Sequence, residues 1–102
     1  MNRGEVWWME HPDAGRHPAC ILTRQAAIPV LQTLLVAPAT THMRGIPTEV
    51  RLGPEDGMPQ ECVLTLDNVG PVHKALLTER ITRLGAAKLV ELCTALNVAA
   101  GC

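Results

Sequence analysis

The chain has 102 residues, 47% of them hydrophobic, enough for one small domain with a modest core and too few for two. Its formal net charge of −1 and pI near 6.4 exclude the broad basic excess of a protein held to nucleic acid by phosphate attraction alone. No apolar run approaches the roughly 18 residues of a membrane-spanning helix, and Met1 to Gly4 lead into a strand pattern without a signal-peptide apolar core, so a cytoplasmic protein with no membrane contact is expected.

Charge is uneven along the chain. Up to Leu52 there are five arginines against four acids, and beyond it two lysines and two arginines against six acids. An anion-binding surface is therefore expected to be local and drawn from the first half. The four cysteines form no CxxC pair. Cys20, Cys62 and Cys93 each lie in an apolar run, the pattern of small reduced core residues, and Cys102 is expected to be an exposed free thiol.

In chain order, Gly4 to Met9 (G-E-V-W-W-M) reads as the first strand and Pro12-Asp13-Ala14-Gly15 as a turn. Successive strand side chains point to opposite faces, so Trp7 and Trp8 cannot both face the core. One of them, with Trp7 as the candidate, is expected at the surface as a platform for a stacked base, since the chain has no Phe or Tyr. The structural alternative is an indole lying on its own barrel or in a subunit contact. His17 to Thr23 reads as the second strand, Gln25 to Leu31 as a short crossing, Thr33 to Ala39 as the third strand and Thr48 to Leu52 as the fourth.

Between the third and fourth strands lies a loop of hydroxyls, an imidazole and a guanidinium. Thr40, Thr41, His42 and Arg44 can donate hydrogen bonds or charge to an anion, and Gly45 lets the backbone turn. Their place at a strand end, where sites collect, makes this stretch the candidate seat of a phosphodiester. Gly53 to Pro59 is dense in turn formers and reads as a surface loop. Glu61 to Asp67 then alternates as a fifth strand, with Cys62, Leu64 and Leu66 on one face and Val63, Thr65 and Asp67 on the other. Val72 to Leu77 and Arg80 to Leu84 are two shorter strand candidates.

Six or seven short strands with tight connections suggest a small barrel, because closure leaves no exposed edge. From Ala86 to Ala100 the period changes: Leu89, Leu92, Cys93, Leu96 and Ala100 recur at helical spacing, and Gly101 fits a C-terminal cap. The predicted fold is mainly β with a C-terminal helix closing one side. One domain is expected over residues 1–102, with the barrel at about 3–84 and the helix at about 86–100.

No cofactor or metal is expected. His11, His17, His42 and His73 have neither H-x₃-H spacing nor a nearby Cys pair, and no P-loop or GxGxxG occurs. The chain contains no Ser. Any catalysis must run on Arg, His, Thr and carboxylates. Metal-independent RNA cleavage is one reaction for which that set suffices: the ribose 2′-OH attacks its own phosphate, and the protein supplies a proton acceptor, a charge for the phosphorane and a donor for the leaving 5′ oxygen.

Arg3-Gly4-Glu5-Val6-Trp7, Gly15 followed closely by Pro18 and an apolar strand, V-A-P-A-T-T with R-G-I-P-T-E-V, and Leu66-Asp67-Asn68 together resemble the MazF/PemK (Kid, mRNA interferase) toxins over nearly the whole chain. The resemblance implies an SH3-like barrel with a C-terminal helix, a homodimer, and cleavage of single-stranded RNA at short sequences to leave a 2′,3′-cyclic phosphate and a 5′-OH. It also implies a cognate, MazE-like antitoxin whose acidic flexible segment covers the RNA groove, with any DNA contact made only through that antitoxin.

Site residues carry over one at a time. The family's catalytic Arg precedes the Pro of a Gly-x-Arg-Pro motif, and here the run is Gly15-Arg16-His17-Pro18, which puts His17 in that place and Arg16 one residue early. A one-residue step in a strand reverses the facing side, so Arg16 is expected to reach a phosphate only if the strand has not yet begun there. The resemblance also implies Thr40 as the catalytic Thr, with Thr41 beside it, and Asp67 as the carboxylate some members are thought to use as base. Three readings stay open: His17 as acid or base with Arg16 and Thr40 holding the phosphate, Arg16 as the cation with His17 only packing, or weakened catalysis. Arg24 and Arg44 are candidate phosphate contacts, and the loops from Arg24 to Leu31 and from Gly53 to Gln60 are expected to set the base preference. The competing class is an SH3-like barrel that binds RNA or an antitoxin without cutting.

Overall fold

The computed structural model describes residues 1–101, so the expected exposed thiol of Cys102 lies outside the described residues. Seven strands form, β1 (Glu5–His11), β2 (Gly15–Ile21), β3 (Thr33–Thr40), β4 (Glu49–Leu52), β5 (Cys62–Thr65), β6 (Gly70–His73) and β7 (Leu77–Arg83), followed by the helix α1 (Ala86–Ala100). Every strand pairing is antiparallel, along the path β4-β5-β3-β2-β1-β7 with β6 joined to β3. β3 is the hub. Thr33 to Val36 pair with β6, Val36 to Pro38 with β2, and Ala39 and Thr40 with β5.

Alternation along these strands sorts the apolar residues onto two faces. Val6, Cys20 and Ala37 join Leu52, Leu64, Leu84 and Leu92 in the main core. Ala19, Ile21, Leu34 and Val36 join Val72 and Leu77 in a second, against which Trp7 and Met9 pack. Leu52 and Leu64 are fully buried, each contributing about 1.5–3 kcal/mol by leaving water.

The expected mainly β fold with a C-terminal helix is observed, but the small barrel does not close as a hydrogen-bonded ladder. No pairing joins β4 to β7 among the described residues. Side chains bridge the gap: the Thr82 hydroxyl of β7 donates to the Asp56 carbonyl at 2.8 Å, and Lys88 Nζ of α1 donates to the Arg51 carbonyl of β4 at 2.6 Å. The loop between β4 and β5 is tied into this seam at Gly57, whose φ of +89° lies in the left-handed region and whose missing side chain leaves room for Thr82. Gly57→Ala is expected to cost roughly 1–3 kcal/mol, from backbone strain and from displacing the Thr82 hydroxyl. Urea unfolding checks this, as a lower midpoint at unchanged slope.

Two local expectations are corrected. The alternating fifth strand ends at Thr65, and Leu66–Asn68 forms a 3-10 turn. Val63 and Thr65, read onto the face opposite Cys62 and Leu64, are buried as well, and the Thr65 hydroxyl donates to the Pro38 carbonyl at 3.2 Å. A strand covered on both faces loses the period that alternation reads. On α1, Leu92 and Ala95 are buried and Leu89, Leu96 and Ala99 pack at the core margin, whereas Cys93 and Ala100 are exposed. Cys93 falls one step off the stripe and lies 3.5 Å from Arg3 Nη2. Cys20 and Cys62 are buried as expected, and burial, eased slightly by the Arg3 charge, pushes the Cys20 thiol up to about 12, which makes it inert packing. Gly101 caps the helix at φ 74°, donating to the Asn97 and Val98 carbonyls. No helix among the described residues is long and apolar enough to cross a membrane.

Candidate active site

An open groove of about 690 Å³ runs past the free end of the β1–β2 hairpin, the end of β3 with the loop that follows, and the loop after β4. It gathers Arg16, His17, Thr40, Thr41 and Arg44. Five of the eight sequence-predicted site residues thus share one surface, although they come from segments about two dozen residues apart.

The hairpin supplies the imidazole and one guanidinium. His17 Nε2 lies 2.7 Å from the Ala14 carbonyl oxygen. A carbonyl can only accept, so Nε2 carries the hydrogen and Nδ1 is left free to accept a proton. Arg16 lies 4.3 Å over the Trp8 ring and its Nη2 donates to Glu79 Oε2 at 3.3 Å. β2 has already begun at Gly15, with Arg16 opposite Glu10 and His17 opposite Met9, so alternation alone would turn Arg16 away. It borders the groove all the same. Its long side chain stacks over Trp8, itself a lining residue, and the cation–π contact holds it there. Both members of the Glu79 pair are substantially exposed, so an arriving phosphate competes with a weak, screened bond.

The end of β3 supplies hydroxyls. Thr40 Oγ1 accepts the His42 N–H at 3.2 Å, which leaves its own O–H to donate elsewhere. The next residues have no regular structure, yet their backbone is held. Glu49 accepts from the Arg44 N–H at 3.0 and 3.3 Å and from the Gly45 N–H at 2.9 Å. Glu49 therefore fixes the loop and does not face substrate. The Arg44 guanidinium has no protein partner among the described residues and borders the groove.

Three predicted residues stand elsewhere. Asp67 does not line the groove, and its Oδ2 accepts from the Thr48 hydroxyl at 2.6 Å. The 3-10 turn at Leu66–Asn68 replaces the extended geometry assumed for it, and Asn68 is the residue that reaches the groove. Trp7 packs against the second core and donates from Nε1 to Glu5 Oε1 at 3.0 Å. The indole at the groove is Trp8. Period-2 alternation places the two indoles on opposite faces but cannot say which face bears the site. Arg24 is exposed beside the short crossing, and neither it nor any other residue of the Arg24–Leu31 loop lines the groove.

Trp8, Gln60 and Asn68 are three groove residues that were not singled out from sequence. Gln60 belongs to a loop flagged for base preference, and Asn68 stands in the Leu66-Asp67-Asn68 motif one place after the residue singled out. Their side-chain amides have no hydrogen-bond partner among the described residues, so donors and acceptors stay available to a base edge. Cys62 also borders the groove, its thiol pKa raised by burial and by the Asp56 charge, which disfavours the reactive thiolate. Among the described residues no three His, Cys, Asp or Glu side chains gather as metal ligands.

Comparison with known proteins accords with this arrangement. The probable endoribonuclease MazF5 of Mycobacterium tuberculosis is 46% identical over 98% of this chain and 93% of its own length. The probable endoribonuclease MazF2 of the same organism is 34% identical over the full length of both. The solved M. tuberculosis toxin MazF-mt6 superposes with a TM-score of 0.88 at 30% identity, covering 95% of this chain and 96% of that one. A mycobacterial endoribonuclease solved in complex with its cognate antitoxin gives 0.89 at 28% identity, covering 99% and 95%. Residues 2–99 match the family described as PemK-like, MazF-like toxin of type II toxin-antitoxin system. With residues 2–99 covered by that match and a relative 46% identical over nearly its whole length, the chain belongs to the PemK/MazF toxin family.

Proposed function

We propose that the chain is the toxin of a type II toxin–antitoxin pair, an endoribonuclease that cuts single-stranded RNA at short sequences without a metal ion. One observation carries the reading: a single groove holds an imidazole of fixed tautomer with Nδ1 free, a strand-end hydroxyl with its proton free, and two guanidiniums. His17 Nδ1 takes the 2′-OH proton as that oxygen attacks its own phosphorus. The Thr40 hydroxyl and Arg44 donate to the non-bridging oxygens as charge develops on the phosphorane, while Arg16 holds the RNA phosphate equally before and during reaction. His42, which also borders the groove beside Thr40, is the imidazole placed to protonate the leaving 5′ oxygen. The products are a 2′,3′-cyclic phosphate and a 5′-OH.

The proposal extends to the partners. A relative solved with its cognate antitoxin supports an antitoxin here, whose acidic flexible segment would compete with RNA for Arg16 and Arg44. The working unit is a cytoplasmic homodimer, and DNA is met only through the antitoxin.

The test is incubation of a long unstructured RNA with antitoxin-free protein in EDTA, followed by end-group analysis. Cyclic-phosphate and 5′-OH ends are expected, and RNA that is bound but left intact would make the chain a binding module. Gln60→Ala is expected to relax the preference at one base of the cleavage site by about 5- to 100-fold, the scale of one good hydrogen-bonded base contact. Sequencing of the cleaved ends reads this directly.

A further inference from the structure

We infer that Asp67 and Glu49 are positioning residues, two carboxylates that together clamp the loop from Thr41 to Pro47 against the groove, with Asp67 acting through Thr48 and taking no proton from substrate. The inference rests on the groove being the RNA-cleaving site proposed above.

The loop is an ordered segment without regular structure, and residues 41–47 are all exposed. Such a segment needs specific backbone bonds to offset its conformational entropy. Three anchors provide them. The Thr40 hydroxyl takes the His42 N–H at 3.2 Å, and Glu49 takes the N–H groups of Arg44 and Gly45 at 2.9 to 3.3 Å. Thr48, buried to 9% exposure, is fixed twice, its hydroxyl donating to Asp67 Oδ2 at 2.6 Å and its carbonyl accepting from Leu66 N–H at 3.0 Å.

Glu49 is the first residue of β4, and Asp67 stands in the 3-10 turn after β5. Asp67 holds Thr48, where the loop enters β4, and Glu49 reaches back to its middle. What they position is His42 and Arg44, whose side chains border the groove. Asp67 itself does not. A carboxylate accepting a charge-assisted bond of 2.6 Å from Thr48 is better placed to hold that hydroxyl than to receive a ribose proton.

Asparagine separates the two roles, because its carboxamide oxygen still accepts from Thr48 but cannot serve as a base. Asp67→Asn is expected to keep kcat/KM within about threefold of wild type with the same pH profile. Asp67→Ala and Thr48→Val are each expected to lower it by about tenfold, and the double variant no further, as for partners in one bond. Glu49→Ala is expected to speed hydrogen exchange at the Arg44 and Gly45 amides by at least about tenfold, the effect of losing a bond to a charged acceptor.

A collapse of cleavage and of one pH limb in Asp67→Asn, with Thr48→Val cutting normally, makes Asp67 the base and overturns the inference. So does unchanged amide exchange across the loop in Glu49→Ala and Thr48→Val. The exchange experiment uses no RNA, so it decides the clamp even if wild-type protein leaves RNA uncut.

Discussion

His17→Ala is expected to slow RNA cleavage by about 10²- to 10⁴-fold in kcat, the span that a positioned acid or base contributes, while RNA binding changes little. The imidazole borders the groove with its tautomer set by the Ala14 carbonyl at 2.7 Å. An Arg there could offer charge but no proton acceptor. A neutral imidazole offers the acceptor, so the loss in His17→Ala is expected in the chemical step and not in RNA binding.

Arg16 gives the contrast. Its guanidinium is shared with Trp8 and Glu79, a setting for charge and stacking. Arg16→Ala is therefore expected to act mainly on KM, by about tenfold, the loss of one charged contact. Single-turnover rates with end-group analysis distinguish the two variants. Loss of cleavage in Arg16→Ala with normal turnover in His17→Ala would exchange the roles.

Acid stability should depend on one buried carboxylate. Glu5 is 3% exposed. Burial alone would raise its pKa, but hydrogen bonds from Trp7 Nε1 and from the Asn2 N–H and side-chain amide, together with Arg80, outweigh it and hold the carboxyl down at about 2.

A folded-state pKa below the ordinary 4.5 means that the ionised form stabilises the fold. That contribution, roughly 3 kcal/mol, is complete above about pH 4.5 and is lost as the pH falls toward about 2. Glu5→Gln is expected to be less stable at pH 7 by about that amount, and its stability should meet that of the wild type near pH 2. Urea midpoints across this range measure it. Parallel curves for the two proteins would place the acid sensitivity elsewhere.

The same residues show what the sequence could and could not reveal. The stretch from Leu34 to Val50 was legible because its signals are local: an apolar run, a polar loop with a glycine, then a Pro-Thr-Glu-Val return. The structure makes it the sheet's hub and one wall of the groove. The helix was legible by period, and its cap by one glycine.

Other features depend on what lies across the fold. Nothing local distinguishes Trp7 from Trp8, since strand alternation fixes their opposition and not which face carries function. Asp67 was singled out by the family resemblance, and the strand read through it is a 3-10 turn that hands the groove to Asn68 instead. Cys93 belongs to the apolar composition of α1 but not to its buried stripe, a difference of one residue that composition cannot register.

Among the described residues the unclosed sheet leaves borders at β4, at β7 and at β6, which pairs with β3 alone, and the first two are guarded differently. β4 has its Arg51 carbonyl occupied by Lys88 and its Arg51 guanidinium shared by Glu55 and Glu61. β7, laddered to β1 alone among the described residues, presents Glu79, Arg80 and Arg83 along an exposed border. Charges on such a border oppose the stacking of further strands. These two borders are therefore poor templates on which a strand of another copy could add.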